Sequence, residues 1–151
     1  MRIGAPVRSA LRRGLCALSF AVIAVGASYR SASASADDAL PHVRVKNIGL
    51  HVGGGPNDAA TKAPFLRQIA AHFDAFRRCY GSAEPPSQHG TFGIDLLVPK
   101  EGGTPVTSNP RTNMKGQAFR DCVVDVFSSI PFERPRRGAT KLSYALSFEP
   151  E

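Results

Sequence analysis

The chain has 151 residues, with 19 lysines and arginines against 12 acids, a formal charge of +7, three cysteines and no tryptophan. This length fits one domain around a single core, and a 42% hydrophobic share argues against a disordered chain. The basicity is uneven: Arg2, Arg8, Arg12, Arg13 and Arg30 precede residue 37 with no acid among them, and taking those five away lowers +7 to +2. The remainder is nearly balanced, which removes the bulk-charge argument for a nucleic-acid binder.

Residues 1–36 read as a secretory signal peptide. "MRIGAPVRSALRR" carries four arginines and runs into Leu15–Ala27, an apolar stretch of 13 residues, short of the roughly 20 that a spanning helix needs. Small residues Ala34-Ser35-Ala36 ahead of Asp37-Asp38 place cleavage after Ala36, with a site after Ala27 as the alternative. Arg12-Arg13 raises twin-arginine export beside the general route. Cys16 falls in the discarded segment. The expected product is an exported domain of roughly 115 residues, periplasmic or extracellular, with no membrane span after cleavage.

In the mature part, "HVRVKNIGLHV" holds two alternations, Val43/Val45 and Ile48/Leu50/Val52, out of phase at Lys46-Asn47, which predicts one strand broken by a bulge or turn. "GGGPNDAATKAP" is a loop feeding a helix, with Asn57, Asp58 or Thr61 as N-cap and Pro64 in the first turn. Leu66, Ile69, Phe73, Phe76 and Tyr80 keep helical spacing and predict one helix, ended by Gly81 and "EPPSQHG". "TFGIDLLV" places Phe92, Ile94, Leu96 and Val98 on one face of a strand. "PKEGG" then turns the chain into a second strand around Val106, which Pro105 and Pro110 confine to an edge or an irregular course. After Gly116 a second helix carries Phe119, Cys122, Val123, Val126, Phe127 and Ile130 and stops at Pro131. The basic loop "ERPRRGATK" leads to a strand with Leu142, Tyr144, Leu146 and Phe148 inward. The order (β)αββαβ predicts an α+β fold, a small antiparallel sheet with two helices packed on one face.

Cys79 and Cys122 are the cysteines left after trimming, and an even pair in an exported chain reads as a disulfide between the two helices; the competing reading is two buried thiols. "HVGGGPND" lacks the Lys-Ser/Thr of a phosphate loop, and the chain lacks the G-x-S-x-G elbow of a lipase, so the glycines read as a turn. His42, His51, His72 and His89 show no metal-ligand spacing. No catalytic, cofactor-binding or metal-ligating residue is assigned, and no cofactor is called for. Arg134, Arg136, Arg137 and Lys141 form either a contact for an anionic partner, such as an envelope polymer or a lipid headgroup, or a solvated loop.

Cys79-Tyr80, Gly102-Gly103, Cys122, Phe132, Pro135, Gly138, Tyr144, Phe148 and Pro150 together resemble the AgmX/PglI C-terminal domain of the TonB-like C-terminal family, a domain frequent in myxobacterial proteins. The resemblance runs from about Phe65 to Pro150. It implies a TonB-C-like fold, a helix-linking cysteine pair and protein contacts in the cell envelope. With the signal peptide read at 1–36, the resemblance leaves an extension with the broken strand and glycine-rich loop at 37–64 and the TonB-C-like domain at 65–151. A transducer of that family carries a retained anchor and a long proline-rich linker, so a free exported domain is the expectation here. The function expected is a non-enzymatic interaction module with an envelope protein as partner, not a nucleic acid, docking by strand addition to the first or the final strand. The alternative is a small secreted hydrolase whose histidine and acid are assembled by folding.

Overall fold

Residues 40–84 and 89–151 are described by a computed structural model. The predicted signal peptide with Cys16, and residues 85–88 of the helix-ending stretch, lie outside them. Seven elements follow in chain order: β1 (Val43–Val52), α1 (Ala59–Ala70), α2 (Phe73–Tyr80), β2 (Gly90–Val98), β3 (Val106–Thr112), α3 (Gln117–Ser129) and β4 (Thr140–Pro150). The strands form one antiparallel sheet in the order β1-β4-β2-β3, so the fold is α+β, with three helices. Among the described residues no helix is long and apolar enough to cross a membrane.

The alternating strands bury the face their sequence marks. Phe92, Ile94, Leu96 and Val98 on β2, and Leu142, Leu146 and Phe148 on β4, have no exposed surface at all. β1 keeps its pleat through a register shift between Asn47 and Gly49. Val43 and Val45 on one side of that bulge, and Leu50 and Val52 on the other, all reach the core. Ile48, expected in phase with Leu50, is the residue the bulge turns out, 53% exposed. β3, with Pro110 inside it and Pro105 just before it, lies at the opposite edge, one of the two courses those prolines allow.

Two expectations are corrected. The first helix is two: α1 ends at Ala70, and α2 starts after His72, whose φ of −106° and ψ of 11° leave helical geometry. Neither glycine nor proline marks the break. Pro64 also sits inside α1, beyond the first turn, because Asp58 takes the N-cap and its carboxylate accepts from the Thr61 N–H at 2.7 Å. Having no N–H, Pro64 cannot give the backbone bond of its turn. The second correction concerns docking: β4 is flanked by β1 and β2, so only β1, of the two strands proposed for strand addition, has an open edge. Of the extension read at 37–64, residues 43–64 supply β1 and the first half of α1.

All three helices lie against the inward face, and aromatic rings fill the layer between. Phe127 of α3 meets Phe76 at 4.7 Å and Tyr144 at 5.7 Å, while Phe119 meets Phe148 at 5.2 Å edge-on. Cys79 of α2 and Cys122 of α3 sit at disulfide distance, 2.03 Å between sulfurs and 5.5 Å between Cα atoms, 43 residues apart in sequence. Among the described residues two buried side-chain atoms lack a hydrogen-bond partner, Arg77 Nε and the Tyr144 hydroxyl, and the second lies within this aromatic layer. The Tyr144 hydroxyl, in a residue 2% exposed, has no hydrogen-bond partner among the described residues, and burial pushes its ionisation well above the ordinary 10.0.

Two outcomes are expected. Replacing both Cys79 and Cys122 by serine lowers stability by about 4 kcal/mol on the loop-entropy account, read as a lower urea midpoint that matches the reduced parent. Tyr144→Phe removes a desolvated hydroxyl and raises stability by about 1 kcal/mol in the same assay, whereas a partnered hydroxyl would make the change destabilising.

Candidate functional site

Helices cover one side of the sheet, and the other side carries the polar chemistry. Outward-pointing residues line up in cross-strand rows: Gly49 (β1), Ala145 (β4), Gly93 (β2) and Arg111 (β3) form one, and His51, Ser143 and Asp95 the next. Gly49, Ala145 and Gly93 of the first row leave a shallow depression of about 680 Å³, rimmed by Ile48, His51, Thr91, Asn113 and Ser143. The Arg111 guanidinium lies over Gly93, where an added methyl would sit in ordinary contact with Nε at 3.5 Å, so the side chain runs along the floor of the depression.

Asp95 anchors this face. It is 6% exposed, and its carboxylate accepts from Ser143 Oγ at 2.6 Å and from Asn109 Nδ2 at 3.0 Å, with Arg111 Nη2 at 3.5 Å. Those two hydrogen bonds, then the Arg111 charge, hold its carboxyl below the ordinary 3.8 against the opposing effect of burial. Asn109 reaches it because β3 slips register opposite Gly93 and Asp95, and Asn109 adopts the left-handed region with φ of 50°, which asparagine tolerates better than most residues. Sequence reasoning placed Asp95 on a strand without giving it a role. The signal was present: an acid at outward parity inside an otherwise apolar run.

His51, Ser143 and Asp95 share a row but not the order of a hydrolytic triad. The carboxylate holds the serine hydroxyl directly, whereas a triad needs the imidazole between them. Among the described residues, His42, His51, His72 and His89 make no side-chain hydrogen bond or ion pair, and no cluster of three metal-ligating residues occurs. His72 precedes α2 without capping it, and His42, His51 and His89 are exposed.

The β1 edge is the second feature. Gly53 N–H bonds to the Lys141 carbonyl and Glu151 N–H to the His42 carbonyl. By the alternation of an antiparallel ladder, the backbone groups of Val43, Val45, Leu50 and Val52 then face away from β4. Both ends of this edge are already occupied. Asn57, a candidate helix cap in the sequence, instead acts as a piece of a neighbouring strand: its Oδ1 accepts from Val52 N–H at 2.7 Å and its Nδ2 donates to the Val52 carbonyl at 2.9 Å. Val43 N–H is turned onto the Pro41 carbonyl at 2.7 Å. The open stretch is therefore Val45 to Leu50, bordering the depression at Ile48 and Gly49. On the outward face, Lys46–Glu149 at 2.5 Å and Arg44–Glu151 at 3.2 Å fasten β1 to β4.

Arg134, Arg136, Arg137 and Lys141 are all exposed, the first three in the loop between α3 and β4, and Lys141 at the start of β4. None pairs with a carboxylate among the described residues, because Glu133 turns to Arg67 at 3.7 Å. Comparison with protein-family models, with curated proteins and with solved structures finds no match.

Asp95→Asn is expected to destabilise the domain at neutral pH. A depressed carboxyl contributes stability above its unfolded value, near 3.8, and loses it as pH falls through the folded value. The gap in melting temperature between parent and variant should therefore narrow on acidification below 3.8; a gap that stays constant with pH would mean that the ionised form is not what the network holds.

Proposed function

We propose that this domain is an exported, non-enzymatic interaction module of the cell envelope, on the plan of the TonB-like C-terminal domains it resembles, and that a partner polypeptide docks along β1. The observation that carries this reading is the meeting of the open stretch Val45–Leu50 with the depression on the same strand. A segment laid against β1 there takes up outward N–H and C=O groups and sends alternate side chains over the floor of Gly49, Ala145 and Gly93. Ile48 offers it an exposed apolar contact at the seam. Cysteines at bonding distance suit an oxidising compartment, the periplasm or the exterior.

The test is a photo-reactive residue at Ile48, compared with one at the exposed Asp125 on α3, each in the native host. The expected result is a discrete envelope-protein adduct from position 48 and none from 125, with the recovered chain beginning at Asp37. Equal adducts from both positions, or a chain retained with its leader in the cytosol, would overturn the reading.

A further inference from the structure

The sheet end opposite the chain's entry into β1 gathers two features that the β1 reading leaves unused. One is charge. Arg134, Arg136 and Arg137 are exposed and lack carboxylate partners among the described residues, and the nearby acids are engaged elsewhere, Glu133 with Arg67 and Glu101 with Lys100 at 3.5 Å. The other is apolar surface. Leu97 and Val106, 46% and 64% exposed, are cross-strand partners on the outward face, and Lys141 pairs with Leu97 from the other side. An exposed apolar pair thus sits in the same cross-strand row as an exposed cation that has no ion-pair contact among the described residues, where the arginine loop enters β4.

This loop is held by the body of the protein. Gly103 and Phe132 exchange backbone hydrogen bonds of 2.8 and 3.0 Å, and Phe132 is buried against Phe65 at 6.0 Å. Gly102, with φ of +83°, lies so close that a methyl there would stand 2.7 Å from the Phe132 carbonyl oxygen and 2.8 Å from the Arg134 nitrogen. Pro135 is buried, with Arg134 on one side of it and Arg136-Arg137 on the other. Thr140 Oγ1 closes the turn by donating to the Gly138 carbonyl at 2.9 Å. Three guanidinium groups are therefore displayed from an anchored turn.

From this geometry we infer that the end of the sheet bearing Arg134, Arg136, Arg137, Lys141, Leu97 and Val106 docks onto an anionic lipid surface. Guanidinium forks match headgroup phosphates, while Leu97 and Val106 enter the boundary between headgroups and acyl chains. Charge complementarity selects an anionic partner, and the adjoining apolar pair selects a lipid surface over a soluble polyanion, which gives aliphatic side chains nothing to enter. β1 is left free for a polypeptide.

The experiment is sedimentation of the protein recovered from its host with vesicles of equal parts phosphatidylglycerol and phosphatidylcholine, against pure phosphatidylcholine, over a salt series. Arg134→Gln with Arg136→Gln and Arg137→Gln should weaken partitioning about a hundredfold at low salt, near fivefold per cation. The equal charge change at the opposite end and on α2, Arg44→Gln with Arg78→Gln and Lys115→Gln, should weaken it by less than a tenth as much. Leu97→Thr with Val106→Thr keeps strand propensity and all charges, and should weaken vesicle binding while leaving retention on heparin unchanged. Circular dichroism confirms that each variant is folded. Equal losses from the two charge variants would reduce the effect to net charge, and full vesicle binding by the Leu97/Val106 variant would assign the loop to a soluble polyanion; either result overturns the inference.

Discussion

β4 exchanges backbone hydrogen bonds along both its edges, with β1 from Val43↔Pro150 to Val52↔Leu142 and with β2 from Gly90↔Phe148 to Val98↔Thr140. β1 and β2 have no contact of their own in the sheet, so the first strand and the hairpin are held together through β4. Its inward side chains, Leu142, Tyr144, Leu146 and Phe148, stand under the helices, and its outward ones, Ser143 and Ala145, lie in the polar rows. The core, the depression and the position of both edges follow from this placement.

The two faces of the sheet are built on opposite principles. Inside, large rings close the space between sheet and helices, and the cysteine pair ties α2 to α3 over them. The unpartnered Tyr144 hydroxyl is a local cost that surrounding aromatic packing tolerates. Outside, small residues keep the surface low, and Asp95 collects hydrogen bonds from β4 and β3 into one network that stiffens the middle of the sheet.

Much of this was legible in the residues. Period-two patterns at Phe92–Val98 and Leu142–Phe148 told which side chains face inward, and Pro105 and Pro110 narrowed β3 to an edge or an irregular course, of which the edge is found. The phase slip at Lys46-Asn47 announced the bulge, although not that Ile48 would be turned out. Strand order was not legible, because alternation fixes which face a residue occupies and says nothing about lateral neighbours; β4 was therefore read as a docking edge when it is interior. The break before α2 escaped because neither Ala71 nor His72 is a residue that interrupts a helix in the way glycine or proline does, while Phe76 and Cys79 beyond it are buried in the core. The Asp95 network escaped for a related reason: its members come from β2, β3 and β4, and a slipped register brings Asn109 in.

The interior position of β4 has a consequence for the order of events as the polypeptide emerges. An amino-terminal ribbon and a central hairpin that share no ladder cannot close a barrier against water until the last eleven-residue strand arrives between them. Nascent chains halted before Thr140 should therefore stay open and protease-accessible, and compaction should come as a single late event once synthesis has passed that point.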